Sequence, residues 1–153
     1  MAINKTGAAG GVIAVVAAIA VMIMPSEGLS LKTYKDPVGI PTICYGETQG
    51  VHYGDTKTKA ECEAMLYKRI GDYLGPVDKM MPGLPDNRRI AYTDFAYNVG
   101  VGALQKSRIP SFEKAGEWKK ACAELNRYVY AGGKKLNGLV ARRAEEYKIC
   151  IGQ

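Results

Sequence analysis

Ser26-Glu27-Gly28-Leu29-Ser30-Leu31-Lys32-Thr33-Tyr34-Lys35-Asp36-Pro37-Val38-Gly39-Ile40-Pro41-Thr42-Ile43-Cys44-Tyr45-Gly46 is the stretch on which the reading of the whole chain turns. It begins two residues after an uncharged apolar run ends at Met24, and the composition changes at once to Gly, Pro, Thr and β-branched residues. Such residues suit a pleated, half-buried surface, so a small hairpin-like sheet is expected from about Tyr34 to Tyr53, with Thr42-Ile43-Cys44-Tyr45 as its clearest strand. Inside the stretch lie two carboxylates, Glu27 and Asp36, and a hydroxyl, Thr42.

Upstream, no charged residue occurs between Thr6 and Ser26. That length matches the roughly 20 helical residues that cross a bilayer. Gly7, Gly10, Gly11 and the alanines from Ala8 to Ala20 make the run only weakly hydrophobic, a poor permanent anchor. Lys5 and the α-amino group precede it, which favours the N-terminus in and the body out. Ala18-Ile19-Ala20 also fits a small-x-small cleavage site, so a removed signal peptide is a rival reading, and a buried core helix is a third. The expected division is a membrane segment over 1–25 and a single body domain over 26–153.

Downstream, helices take over. Thr58-Lys59-Ala60-Glu61 is a capping box, followed by Cys62, Met65, Leu66, Ile70, Tyr73 and Leu74 on one face of a helix that Gly75-Pro76 is expected to end. Asp86 or Asn87 is expected to cap a second helix carrying Ile90 and Phe95 and closing at Gly100. A third is expected through Trp118, Ala121, Cys122, Leu125 and Val129 to Gly132-Gly133. In the last, Val140, Ala144, Tyr147 and Ile151 form a helical stripe read as core. The fold class is therefore α+β, mainly helical, with a small antiparallel sheet and an N-terminal apolar helix.

Twenty-one Lys and Arg against 15 Asp and Glu give a net charge of +6, which suits anionic partners. The basic residues are scattered and no binding motif accompanies them, so nucleic acid is not expected as a partner. A single histidine, His52, and no C-x2-C pair argue against a metal, and the absence of a Gly-rich phosphate loop argues against a nucleotide. No cofactor is expected, and a monomer is. Cys44, Cys62, Cys122 and Cys150 allow three pairings in an oxidising compartment, with buried free thiols as the alternative. Cys122 on the Trp118/Leu125 face and Cys150 one turn beyond Tyr147 favour Cys122–Cys150, with Cys44–Cys62 tying the sheet to the first body helix.

With no Ser-His pair or metal cluster, the chemistry falls to carboxylates and hydroxyls. Glycoside hydrolysis needs little else: one carboxylic acid protonates the leaving oxygen, and a second carboxylate attacks the sugar or activates water. The acid must stay protonated near neutral pH, which an apolar setting favours, and Glu27 lies between Met24-Pro25 and Leu29-Leu31. Asp36, beside Lys35, is placed to stay ionised. Thr42 can exchange hydrogen bonds with a water near Asp36.

The run Glu27-Gly28-Leu29-Ser30-Leu31, Tyr34, Asp36, Gly39, Thr42-Ile43 and Tyr45-Gly46 closely resembles the catalytic region of the phage-type lysozymes, glycoside hydrolase family 24. The family's Glu, eight residues, Asp, five residues, Thr is matched without a gap. Phe95-Ala96-Tyr97-Asn98-Val99-Gly100 looks like the family's cleft-lining helix end, and Trp118 with Ala121 like a later core helix. Gly138 to Glu145 is similar to the C-terminal helix that supplies an arginine to the acid, with Arg142 the better match and Arg143 the alternative. The family often has Gly where this chain has Cys44, and His where it has Glu47. Loss of that His implies loss of an ion pair that steadies the passage from sheet to helix.

The resemblance implies an endo-acting muramidase that cuts the β-1,4 bond between N-acetylmuramic acid and N-acetylglucosamine. Glu27 would be the general acid, Asp36 would orient the attacking water or stabilise the sugar cation, and Thr42 would hold that water. Tyr34, Asn98 and Arg142 would line the substrate site. An apolar segment fused to the catalytic Glu looks like the signal-arrest-release endolysins of phages that infect Gram-negative bacteria. This implies insertion by the host secretion machinery, an inactive state in the inner membrane with the body periplasmic, and later release to the periplasm. A lytic transglycosylase would cut the same bond but usually manages with one carboxylate. A membrane-anchored wall-binding module or a small pore-former are alternatives from another class, and the wall-binding module would tolerate Glu27→Gln.

Overall fold

The computed structural model describes residues 7–153, with side chains from position 11 onward. Lys5 and the α-amino group, on which the expected membrane orientation rests, lie outside the described residues. The apolar run folds as helix α1, Gly7–Glu27, and Gly28, in the left-handed region at φ 72°, ends it just after the carboxylate. Val15, Ile19, Ala20 and Ile23 are buried in the body, so α1 is a core helix here. Among the described residues no helix is long and apolar enough to cross a membrane.

Two antiparallel strands follow, β1 (Ser30–Lys35) and β2 (Pro41–Cys44), with Tyr34 opposite Thr42 and Lys35 opposite Pro41. The sheet thus begins at Ser30, ahead of the expected Tyr34. The segment before the next helix lies along β1: the Thr33 amide donates to Asp55 O (3.1 Å) and the Lys57 amide to Leu31 O (2.9 Å).

Helix α2, Lys59–Met80, opens on the expected capping box, Thr58 and Glu61 exchanging side-chain and backbone hydrogen bonds. It does not stop at Gly75-Pro76. Val77 and Met81 prolong the buried row of Leu66, Ile70 and Leu74, and that burial offsets the hydrogen bond that Pro76 cannot make. Helix α3, Asp86–Val99, has Pro85 at its N-cap. Neither expected cap acts as one: Asp86 pairs with Arg89 (3.0 Å), and Asn87 Nδ2 donates to Cys150 O (2.8 Å). The helix closes at Gly100 as expected, with φ 95°.

Helices α4 (Val101–Lys106) and α5 (Ile109–Lys114) follow, each too short to show a period in the sequence. The expected helix to Val129 is α6, Trp118–Glu124, tightening into a 3-10 turn over Leu125–Arg127. A small hairpin, β3 (Tyr130–Ala131) and β4 (Lys134–Lys135), then reverses at Gly132-Gly133.

In the last helix, α7 (Asn137–Cys150), the buried row is Arg142, Arg143, Glu146 and Cys150. The stripe expected to be core faces elsewhere: Val140 and Ala144 are exposed and Tyr147 is only half-buried. The helix turns a charged edge inward because α1 and α3 offer it buried polar partners. The cysteines pair as Cys44–Cys62, Cα atoms 5.0 Å apart, and Cys122–Cys150, 5.7 Å apart.

Candidate active site

Glu27, the last residue of α1, projects into a cleft of about 290 Å³ walled by Gly46 to Gln49, Arg69, Tyr73, Tyr97 and Asn98. Its Oε1 accepts from Arg142 Nη1 at 3.1 Å. Arg142 in turn donates through Nε and Nη2 to Asp94 Oδ2 and Oδ1, at 3.0 and 2.9 Å, and Asp94 is fully buried on α3. Burial works against the charge on Arg142, but Asp94 and Glu27 more than reverse it and hold the guanidinium above its ordinary pKa. Three helices thus meet at one carboxylate. The apolar setting expected for Glu27 is not found: Leu29 and Leu31 point to solvent, and its neighbours in the cleft are polar. Of the two arginines offered by the sequence, Arg142 is the partner.

Gly46 comes close to this group. Its φ of 82° calls for glycine, and a Cβ there would come within 3.4 Å of Glu27 Oε2, in contact with the carboxylate. Tyr97 donates its hydroxyl to Tyr45 O at 3.1 Å, tying α3 to the end of β2 beside the cleft.

Asp36, Tyr34 and Thr42 form a second group, on the β1–β2 hairpin. Asp36 Oδ1 accepts from the amides of Val38 (2.9 Å) and Ile40 (2.8 Å), and the Gly39 amide donates back to Asp36 O (2.9 Å). The local sequence Asp-Pro-Val-Gly makes this turn, since Asp side chains bond backbone amides just ahead and Gly39 supplies a φ of 85°. Among the described residues nothing bonds Asp36 Oδ2. Thr42 is buried and donates its hydroxyl to Ile40 O at 3.0 Å. Its proton is thereby committed, so the hydroxyl meets a water only as an acceptor, a narrower role than the sequence suggested. Tyr34 lies opposite Thr42 in the register and is largely exposed.

Glu47 corrects an expectation. No ion pair is missing at this position, because Arg69 of α2 donates to both Glu47 oxygens, Nη2 to Oε1 at 2.7 Å and Nε to Oε2 at 3.0 Å. The amides of Thr48 and Gln49 add bonds of 3.0 and 2.9 Å. Burial pushes the Glu47 carboxyl up, but Arg69 and these amides outweigh it and leave its pKa lowered. The carboxylate stands on the loop and the cation on the helix.

Behind the cleft, Arg143 Nη2 donates to Asn98 Oδ1, and the guanidinium lies over the Phe95 ring, 4.9 Å from its centroid. Arg143 and Glu146 are fully buried, 3.4 Å apart. Burial raises the Glu146 pKa and lowers that of Arg143. Asp94 and Arg69 were missed in the sequence, whereas Tyr97 lies in the run read as a cleft-lining helix end. A usable sign for Asp94 was its place one turn beyond Ile90 and Ala91 in the expected helix, where an unpaired carboxylate turned to the core would be costly.

A family profile described as phage lysozyme matches residues 24–146. A protein named SAR-endolysin from Bacteriophage PS119 is 40% identical over 129 residues, covering 82% of this chain and 76% of its own. The crystal structure of the active form of the P1 phage endolysin Lyz matches with a TM-score of 0.81 at 27% identity, over 94% of this chain and 93% of that one. The secreted inactive form of the same endolysin matches with a TM-score of 0.58 at 26% identity, over 88% and 93%. The chain belongs to the phage lysozyme family and is a glycoside hydrolase.

Proposed function

We propose that the enzyme cuts the β-1,4 bond between N-acetylmuramic acid and N-acetylglucosamine in peptidoglycan, with Glu27 as general acid. The observation that carries this assignment is the Glu27–Arg142–Asp94 chain at the wall of an open polar cleft. Glu27 gives its proton to the leaving glycosidic oxygen, and Arg142 stabilises the carboxylate left behind. Because Arg142 is pinned by Asp94, it can do so without moving. Asp36, with Oδ1 fixed by two amides, turns Oδ2 to a water or to the developing sugar cation. Thr42 accepts a hydrogen bond from that water. Tyr34, Asn98 and Arg142 line the path of the glycan.

Residues 1–25 act first as a membrane segment inserted by the host secretion machinery, with the body periplasmic. The same side chains cannot lie in lipid and in the core at once. While α1 is in the bilayer, Val15, Ile19, Ala20 and Ile23 are missing from the body, and Glu27 is held at the headgroup level. Two observations support this reading. Helix α1 stays apolar on its outer side, where Val12, Ile13 and Val21 are exposed, and the docked arrangement is more like the active than the inactive form of the P1 endolysin. Release into the periplasm lets α1 dock and complete the site.

Turbidity clearing of purified peptidoglycan by wild type and Glu27→Gln, with mass analysis of products, tests the assignment. Wild type yields hydrolysed, reducing-end muropeptides, and Glu27→Gln falls roughly 10²–10⁴-fold with an unchanged thermal midpoint. Anhydro products, or a variant as active as wild type, would refute it.

A further inference from the structure

We infer that Arg143 is a positioning residue: from inside the core it fixes the Asn98 carboxamide so that its NH2 group faces the glycan and selects an acceptor oxygen there. This rests on the muramidase reading of the same cleft. A guanidinium has five N–H donors and no acceptor, so the atom of Asn98 that meets Arg143 Nη2 is the carbonyl oxygen. The two N–H bonds of Nδ2 are then directed away from Arg143. Asn98 lies on the wall shared with Glu27, and Nδ2 bonds no group among the described residues.

Arg143 cannot easily turn elsewhere. It is fully buried, over the Phe95 ring and 3.4 Å from Glu146, and among the described residues its Nε and Nη1 have no hydrogen-bond partner. Glu146 lies 3.4 Å from Arg143 Nε without a hydrogen bond to it, which leaves the Asn98 oxygen as the acceptor bonded to the buried guanidinium among the described residues. Turning the carboxamide over would set an NH2 against a fully buried guanidinium, donor against donor. The Asn98 rotamer is thus dictated from behind, before substrate arrives. The group presented is a pure donor, which fits the carbonyl oxygen of an N-acetyl substituent, a strong neutral acceptor that every sugar of the glycan carries.

Asn98→Asp tests this. The aspartate keeps an oxygen on Arg143 and exchanges the cleft donor for an acceptor. Activity on soluble, uncrosslinked glycan strands should show KM raised at least tenfold, a larger change than in kcat, with the thermal midpoint held or raised. In a double-mutant cycle, Arg143→Met should raise KM in the native background and hardly at all beside Asn98→Ala. The Asn98 side-chain amide resonance should shift when an N-acetylglucosamine oligomer is added. An Asn98→Asp enzyme with native KM, an Arg143→Met effect undiminished beside Asn98→Ala, or an unmoved amide resonance in a glycan-saturated protein would each overturn the inference. Failure of the muramidase reading would show instead as a wild-type enzyme that leaves the strands uncut.

Discussion

Among the described residues two apolar clusters are buried, and they differ in how far each draws on helix α1. One gathers Val15, Ile19, Ala20 and Ile23 of α1 with Ile43, Cys44 and Tyr45 of the sheet and Cys62, Leu66, Ile70 and Leu74 of α2. The other takes Val77 and Met81 from the far end of α2, then Ala91, Tyr92, Phe95 and Ala96 of α3, with Leu104, Ile109, Ala121, Cys122, Leu125 and Cys150. A disulfide closes each. Only the first contains side chains of α1, and the same helix ends in Glu27. Stability of that half and placement of Glu27 are therefore coupled, whereas the second cluster takes no buried side chain from α1, which meets that half along α3 and through Arg142.

Matched cavities in the two clusters sharpen this difference most. Ile23→Ala and Leu104→Ala should each cost about 2–5 kcal/mol, since both side chains are fully buried. Hydrogen exchange should separate them. Ile23→Ala should speed exchange in β2 and the first turns of α2 and depress peptidoglycan hydrolysis, while Leu104→Ala should speed exchange in α3 and α4 and leave the catalytic half protected. Equal patterns in the two variants would show a single cooperative core.

The Glu47–Arg69 pair gives the next effect, confined to the first half. Glu47→Gln should cost about 1.5–3 kcal/mol, the range for hydrogen bonds to charged groups. The lowered folded pKa fixes the sign of its pH dependence. Above the unfolded carboxyl value, near ~4.3, the pair contributes fully, and its contribution fades as pH falls through the lower folded value. The difference in thermal midpoint between wild type and Glu47→Gln should thus be largest near neutrality and shrink in acid. A gap that widened on acidification would contradict the assignment.

The smallest effect on the folded enzyme separates docking from anchoring. Gly11 has open space where a Cβ would go, and Ala14 is exposed. Leucine at both should stabilise the docked enzyme by up to about 1 kcal/mol, chiefly by removing a helix-interior glycine, and also strengthen retention in lipid and delay lysis of expressing cells. Variants that release and lyse on the wild-type schedule would remove the membrane step from the account.

What the sequence disclosed followed physical rules that act over a few residues. The carboxylates and Thr42 were legible because their spacing stands in one short stretch, and the capping box at Thr58 because its donors and acceptors lie three residues apart. Pro76 misled because a local penalty was outweighed by Val77 and Met81 packing against other helices. The inward face of α7 was misread for the same reason: periodicity marks apolar residues as core, but Arg142, Arg143 and Glu146 are buried by partners on α1 and α3 that are distant in sequence. Glu47–Arg69, 22 residues apart, was invisible for want of any local cue. The candidate groups of the site stand together in the local sequence, and the network that holds them does not.

The dependence of the acid on a docked first helix is tested most directly by comparing the full-length soluble enzyme with a refolded chain that begins at Val21. The two would be assayed side by side on purified peptidoglycan, with intact mass confirming each N-terminus. Without Val15, Ile19 and Ala20 the first cluster loses the helix that sets Glu27, so the shortened chain should retain helical circular dichroism and the Cys122–Cys150 bond but clear no turbidity. A shortened chain that hydrolyses peptidoglycan at the full-length rate would contradict the account.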